Sequence, residues 1–69
     1  MKLTSRQRQV VLLLSEGHSC PQIARKLRIA VSTVRQHIRK VAEGLEGAES
    51  GVPALRRVRR KARELLEAA

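Results

Sequence analysis

The sequence predicts an all-α domain, on three observations. Apolar residues recur at spacings of three and four, as in Val34, Ile38 and Val41 and again in Leu55, Val58, Ala62 and Leu65. That period places them on one face of a helix. Thr4-x-x-Gln7 and Ser19-x-x-Gln22 both have the form of a capping box, in which a hydroxyl and an amide side chain satisfy the first free backbone donors of a helix. Pro21 and Pro53 fall in the first turn of an expected helix, where no backbone donor is required.

Composition bounds what such a domain can do. Its 69 residues make one small domain with a modest core, and such a chain often depends on a partner. There is no Phe, Tyr or Trp, so the core must come from Leu, Ile, Val and Ala. Fifteen Lys and Arg against six Glu give a formal charge of +9, which favours a polyanion such as nucleic acid, or an anionic membrane surface. The missing aromatics argue against recognition by base stacking, and so against most single-strand and RNA modules. No apolar run approaches a membrane span and no secretory pattern opens the chain, so no membrane partner is expected. A single Cys cannot form an internal disulfide, which points to the cytoplasm.

The first helix is expected from Ser5 to Glu16. Thr4 caps it, Leu3 staples against the next turn, and Val10, Val11, Leu13 and Leu14 form its apolar stripe, with Leu12 added. Gly17 ends it, as a residue tolerant of positive φ. The second helix runs from Cys20 to Leu27, capped by Ser19. Ile23, Ala24 and Leu27 face inward, and Arg25, Lys26 and Arg28 face outward. A turn of three or four residues, Arg28 to Val31, leads to the third helix. There Val34, Ile38 and Val41 are buried, with Ser32, Thr33, Arg35, Gln36, Arg39 and Lys40 between them and no acid among them. Two short helices so joined form a helix-turn-helix. The exposed face of the second member suits a DNA major groove, because Arg pairs with guanine edges and Gln with adenine edges, while Ser, Thr and Lys reach phosphates. The same pattern also suits a solvated basic face.

Charge divides the rest of the chain. Residues 1–42 carry nine bases and one acid, residues 43–50 three acids and no base, and residues 51–69 six bases and two acids. This gives a helix-turn-helix core over 1–43, a connector over 44–52, and a C-terminal helix of the same domain over 53–69. The last helix is expected from Pro53 to Glu67, with Val52 as its cap. Its apolar stripe is Leu55, Val58, Ala62, Leu65, Leu66 and Ala69, and Arg60–Glu64 and Arg63–Glu67 are spaced to pair. The Arg56 to Arg63 cluster reads equally as a solvated face or a second nucleic-acid contact. A membrane-surface role is disfavoured by the missing aromatic anchors. The stripe is longer than a compact three-helix core needs. Leu55, Val58, Ala62, Leu65 and Leu66 are therefore the candidate interface of a weak homodimer that strengthens on DNA, with the Leu65–Leu66 end projecting beyond the core.

An enzyme is not expected. There is no Asp, and His18 and Cys20 lack a base, an orienting group and a pocket. His18, Cys20 and His37 do not converge as metal ligands, and Gly44, Gly47 and Gly51 lack the strand and the Lys-Ser/Thr of a phosphate loop. No metal or cofactor is expected.

Leu3-Thr4-x-Arg6, then Val10, Gly17-x-Ser19, Ile23-Ala24-x-x-Leu27-x-Ile29 and Thr33-Val34-Arg35-x-His37 resemble the LuxR-type (FixJ/GerE) DNA-binding domain. The match runs without a gap over roughly residues 3 to 41. Each piece is weak alone, and the series in register carries the resemblance. It implies a four-helix domain whose third helix enters the major groove, with base contacts from Arg35, Gln36 and Arg39. It further implies phosphate contacts near Thr33, His37 and the second helix. With the residues' own chemistry, the candidate base contacts are Arg35, Gln36, Arg39 and Ser32, and the candidate phosphate contacts are Thr33, His37, Lys40, Arg25 and Lys26.

The sequence departs from the family in four places. Ala30 stands where a capping Ser is usual, at a cost of about 1 kcal/mol, and Ser32 is the alternative cap. Cys20-Pro21 replaces the usual Asn and basic residue. Gln7 and Gln9 replace Glu, and residues 44–69 do not match the usual ending. The expected function is sequence-specific binding of double-stranded DNA in transcriptional control, by an isolated effector domain, a fragment or a stand-alone regulator. Two alternatives stay open. One is a module like region 4 of sigma factors, with RNA polymerase as a further partner, although His37 after Thr-Val-Arg-x favours the LuxR type. The other is a helical protein-interaction module.

Overall fold

The structure, a computed structural model, describes residues 3–45 and 53–67. Over those residues it is all-α, with four helices in the order α1 (Ser5–Ser15), α2 (Cys20–Leu27), α3 (Val31–Glu43) and α4 (Ala54–Glu67). The expected connector over 44–52, the Val52 cap and Ala69 of the apolar stripe lie wholly or mainly outside the described residues. Of the connector, only Gly44 and Leu45 are described. Gly44 caps the end of α3, and Leu45 packs half-buried against the core.

Both capping boxes form. The Gln7 backbone N–H donates to Thr4 Oγ1 at 3.1 Å, and the Thr4 N–H donates to Gln7 Oε1 at 3.0 Å. At α2 the Gln22 N–H donates to Ser19 Oγ at 3.3 Å, and the Ser19 N–H donates to Gln22 Oε1 at 2.9 Å. These bonds satisfy donors that the first turn of a helix cannot bond internally.

α1 ends at Ser15, with Glu16 as its cap. Gly17 takes φ +93°, and the N–H groups of Gly17 and His18 return to the carbonyls of Leu14 and Leu13 at 3.0 and 3.1 Å. This double return is the Schellman arrangement, and it turns the chain toward α2. α4 begins one residue later than expected. Pro53 precedes the helix, and its carbonyl accepts the Arg57 N–H at 3.1 Å. The ion pair on this helix is Lys61 with Glu64 at 3.6 Å, in place of the expected Arg60–Glu64 and Arg63–Glu67 pairs.

The core is made of small aliphatic side chains drawn from every helix. Val10, Val11 and Leu14 come from α1, Cys20, Ile23 and Ala24 from α2, Val34, Ile38, Val41 and Ala42 from α3, and Val58, Ala62 and Leu65 from α4. Leu12 is not part of it. At 46% exposure it lies on the solvent side of α1, which corrects its placement in the apolar stripe. Five consecutive apolar residues exceed what one helical face can hold, and Leu12 is the one that turns outward. α1, α3 and α4 pack against one another, and α2 packs on α3 and more lightly on α1. Among the described residues α2 and α4 do not meet, so they flank the α1–α3 pair on different sides.

Candidate nucleic-acid interface

The candidate interface is built on the α2–turn–α3 unit. The turn is three residues, Arg28 to Ala30. Arg28 makes it tight by adopting the left-handed conformation, φ 57° and ψ 46°. Its own N–H and that of Ile29 both return to the Ala24 carbonyl, the latter at 3.0 Å. Glycine usually fills such a position, because a side chain there costs about 1 kcal/mol or more. The residue type gave no warning of it. Ile29 follows half-buried against the core and anchors the turn.

α3 starts at Val31, with Ala30 in the capping position and no side-chain cap. Ser32 does not take over that role. The Ala30 carbonyl accepts the N–H groups of Thr33 and Val34 at 3.0 and 3.1 Å. The N–H groups of Val31 and Ser32 therefore have no acceptor within the helix. Bare amides at the positive end of a helix dipole are donors suited to an anionic oxygen. Ala30 thus costs α3 a cap and leaves two amides open at its start. A small residue that leaves the amides uncovered is a signal only when the partner is known to be anionic.

Burial sorts the α3 side chains as a 3.6-residue period requires. Val34 and Val41 are fully buried and Ile38 is 3% exposed. Ser32, Arg35, Gln36, Arg39 and Lys40 are exposed, while Thr33 and His37 are half-buried. At 100° per residue, Arg35, Arg39, Ser32 and Gln36 fall in one arc of about 100°, and Lys40 follows on the Gln36 side. Thr33 and His37 lie together beyond Lys40, at one edge. The four candidate base contacts thus share one face, and the half-buried pair borders it. Arg25 and Lys26 are exposed in the last turn of α2. Glu43, in the last turn of α3, is exposed at the far end of this arc.

The five candidate dimer residues divide. Val58, Ala62 and Leu65 are 0%, 2% and 7% exposed within a single chain, while Leu55 and Leu66 are half-buried. The expectation that the Leu65–Leu66 end projects beyond the core is corrected at Leu65, which packs into it. Because α1 and α3 both pack on α4, the fourth helix uses more of its stripe internally than a tail would. Of the five, Leu55 and Leu66 keep part of their apolar surface open on α4. Arg57 is half-buried beside this stripe, with its Nε shielded from water and unpaired.

Among the described residues no three His, Cys or acidic side chains gather as a metal set, and no helix is long and apolar enough to cross a membrane. Cys20 is buried at the start of α2.

A four-helix core with a three-residue turn before a helix of exposed Arg, Gln and Ser defines a helix-turn-helix DNA-binding domain. The sequence profile of the homeodomain-like domain family matches residues 2–49, most of the chain and all of the turn unit. The chain belongs to that family. No curated protein and no solved structure matches the sequence.

Proposed function

We propose that this domain reads double-stranded DNA sequence-specifically in transcriptional control, with α3 in the major groove, and that it is of the LuxR type within the helix-turn-helix class. One observation carries the reading. Arg35, Arg39, Gln36 and Ser32 share an exposed arc of a helix whose opposite side is locked into the core by Val34, Ile38 and Val41. A reader needs its base-edge donors held rigidly on one face, and this burial pattern supplies that. Arg35 and Arg39 take guanine, Gln36 takes adenine, and Ser32 takes either base edge.

Phosphate contacts fall to Thr33 and His37 at the edge of the arc, to Lys40, to Arg25 and Lys26 of α2, and to the bare amides of Val31 and Ser32. The LuxR assignment rests on the in-register residues from Leu3 to His37, and Ala30 and Cys20-Pro21 are this chain's departures from it. Rounds of selection from a random duplex pool test the function. A reader enriches a consensus of a few adjacent base pairs. A pool that stays random while binding occurs would overturn the reading in favour of charge-only binding.

A further inference from the structure

α4 carries a second charged surface that the reading of α3 leaves unused. Five of its cations, Arg56, Arg59, Arg60, Lys61 and Arg63, are exposed. Four of them form a stripe. At 100° per residue Arg59, Arg63, Arg56 and Arg60 fall within an arc of about 100°, and at 1.5 Å per residue they extend over about 11 Å of helix. Lys61 lies off this arc and is engaged with Glu64. Glu67 stands one turn beyond Arg63 and ends the stripe.

All four members are Arg, whose planar fork matches phosphate oxygens in two-pronged fashion. At the start of the stripe Arg56 and Arg59 line an open depression of about 320 Å³ together with Pro53 and Leu55. Guanidinium groups beside an apolar floor suit a sugar–phosphate unit, the phosphate meeting the arginines and the sugar meeting Leu55 and Pro53.

The packing separates the helix that carries this surface from α2. α1, α3 and α4 each pack on the other two. Three mutually packed helices turn their buried stripes to a common centre, so their outward faces diverge. α2, which belongs to the reading unit, does not meet α4 among the described residues. The arginine stripe therefore lies on a helix that α2 does not reach among those residues, and apart from the α3 arc that carries Arg35 and Arg39. We infer that the Arg56–Arg59–Arg60–Arg63 stripe holds the backbone of a second DNA duplex, so that one domain bridges two DNA segments, one read by sequence on α3 and one held by charge on α4.

The test uses the full chain and two short duplexes with different fluorophores, each long enough for one domain. One duplex carries the selected site and the other a random sequence. The expected result in low salt is energy transfer between the two, saturating at two duplexes per chain. Replacing all four arginines with Gln abolishes the transfer and leaves affinity for the selected site unchanged within about twofold. Replacing them with Lys, which keeps the charge and loses the two-pronged fork, retains a weakened transfer, and circular dichroism verifies that both variants are helical. With four phosphates neutralised, second-duplex affinity falls on the order of a hundredfold between 50 and 200 mM salt. The inference is overturned by binding of the selected duplex with no second one recruited, by transfer that survives the Gln replacement, or by a Gln variant that loses selected-site affinity. The last would put the stripe on the same duplex. Recruitment of anionic vesicles by the stripe, without a second duplex, overturns it in favour of a membrane surface. Failure of the α3 reading is a separate result, seen as no preference between the selected and random duplexes.

Discussion

α3 and α4 are two basic amphipathic helices of almost equal length, 13 and 14 residues, and their outward chemistry differs. Each buries aliphatic side chains in the same core. Outward, α3 mixes Arg35 and Arg39 with Gln36 and Ser32, while α4 presents a stripe of arginine. Arg donates only, whereas Gln and Ser both donate and accept. Telling adenine from other bases requires a donor and an acceptor together, which α3 has and the α4 stripe lacks. On the proposed reading, charge draws both helices to DNA and the mixed face of α3 alone can discriminate.

The strongest way to break the comparison is at the footing the two helices share. Val58 is fully buried, so Val58→Asp places an unpaired carboxylate in the core at a cost of several kcal/mol, enough to unfold so small a domain. Helicity and DNA binding should be lost together in a urea titration followed by circular dichroism. Retention of both would make α4 a detached tail. The next largest effect sharpens the contrast. Arg35→Ala or Arg39→Ala should cost about 1–3 kcal/mol of affinity for the selected site, and less on random DNA. Arg59→Ala on α4 should leave the preference between those two duplexes unaltered, as measured by fluorescence anisotropy in parallel titrations.

Smaller effects separate the helix starts. Ser19→Ala removes the hydroxyl that caps α2 and should lower stability by about 1 kcal/mol. Ala30→Ser supplies α3 with the cap it lacks and should raise stability by about 0.5–1 kcal/mol. It should at the same time weaken DNA binding, since the new oxygen competes for amides that phosphate would take. Chemical denaturation and anisotropy on one preparation check both signs. The smallest effect is at the turn. Arg28→Gly should stabilise by up to about 1 kcal/mol, because glycine adopts φ 57° without strain. A lower denaturation midpoint would show that the Arg28 side chain contributes more than its backbone strain costs.

The parts of the fold that were legible from residues are those written in local chemistry. Thr4–Gln7 and Ser19–Gln22 marked the starts of α1 and α2, because a capping box needs only residues three apart. The 3.6 period of Val34, Ile38 and Val41 set the buried side of α3, and with it the exposed arc. Less legible was whatever depended on neighbours distant in sequence. Leu12 sat in an unbroken apolar run, and only the packing of α3 and α4 on α1 decides which member turns out. Leu65 was expected to project because the size of the core α4 would join could not be read from α4 itself. Arg28 took a left-handed turn that its residue type disfavours, with Ile29 after it half-buried against the core. The uncapped start of α3 was visible as Ala30, but its meaning depends on a partner outside the chain.

The central claim is that α3 reads bases and does not merely hold phosphate. Its most direct test measures the affinity of the wild type, Arg35→Ala and Arg39→Ala for every single-base variant of the selected site, at one salt concentration. The wild type should lose about 1–3 kcal/mol at each specified base pair. Each variant should become indifferent at one or two of those positions and keep its discrimination at the others. If both variants instead keep the wild-type affinity and pattern of preference, α3 is not the reading helix.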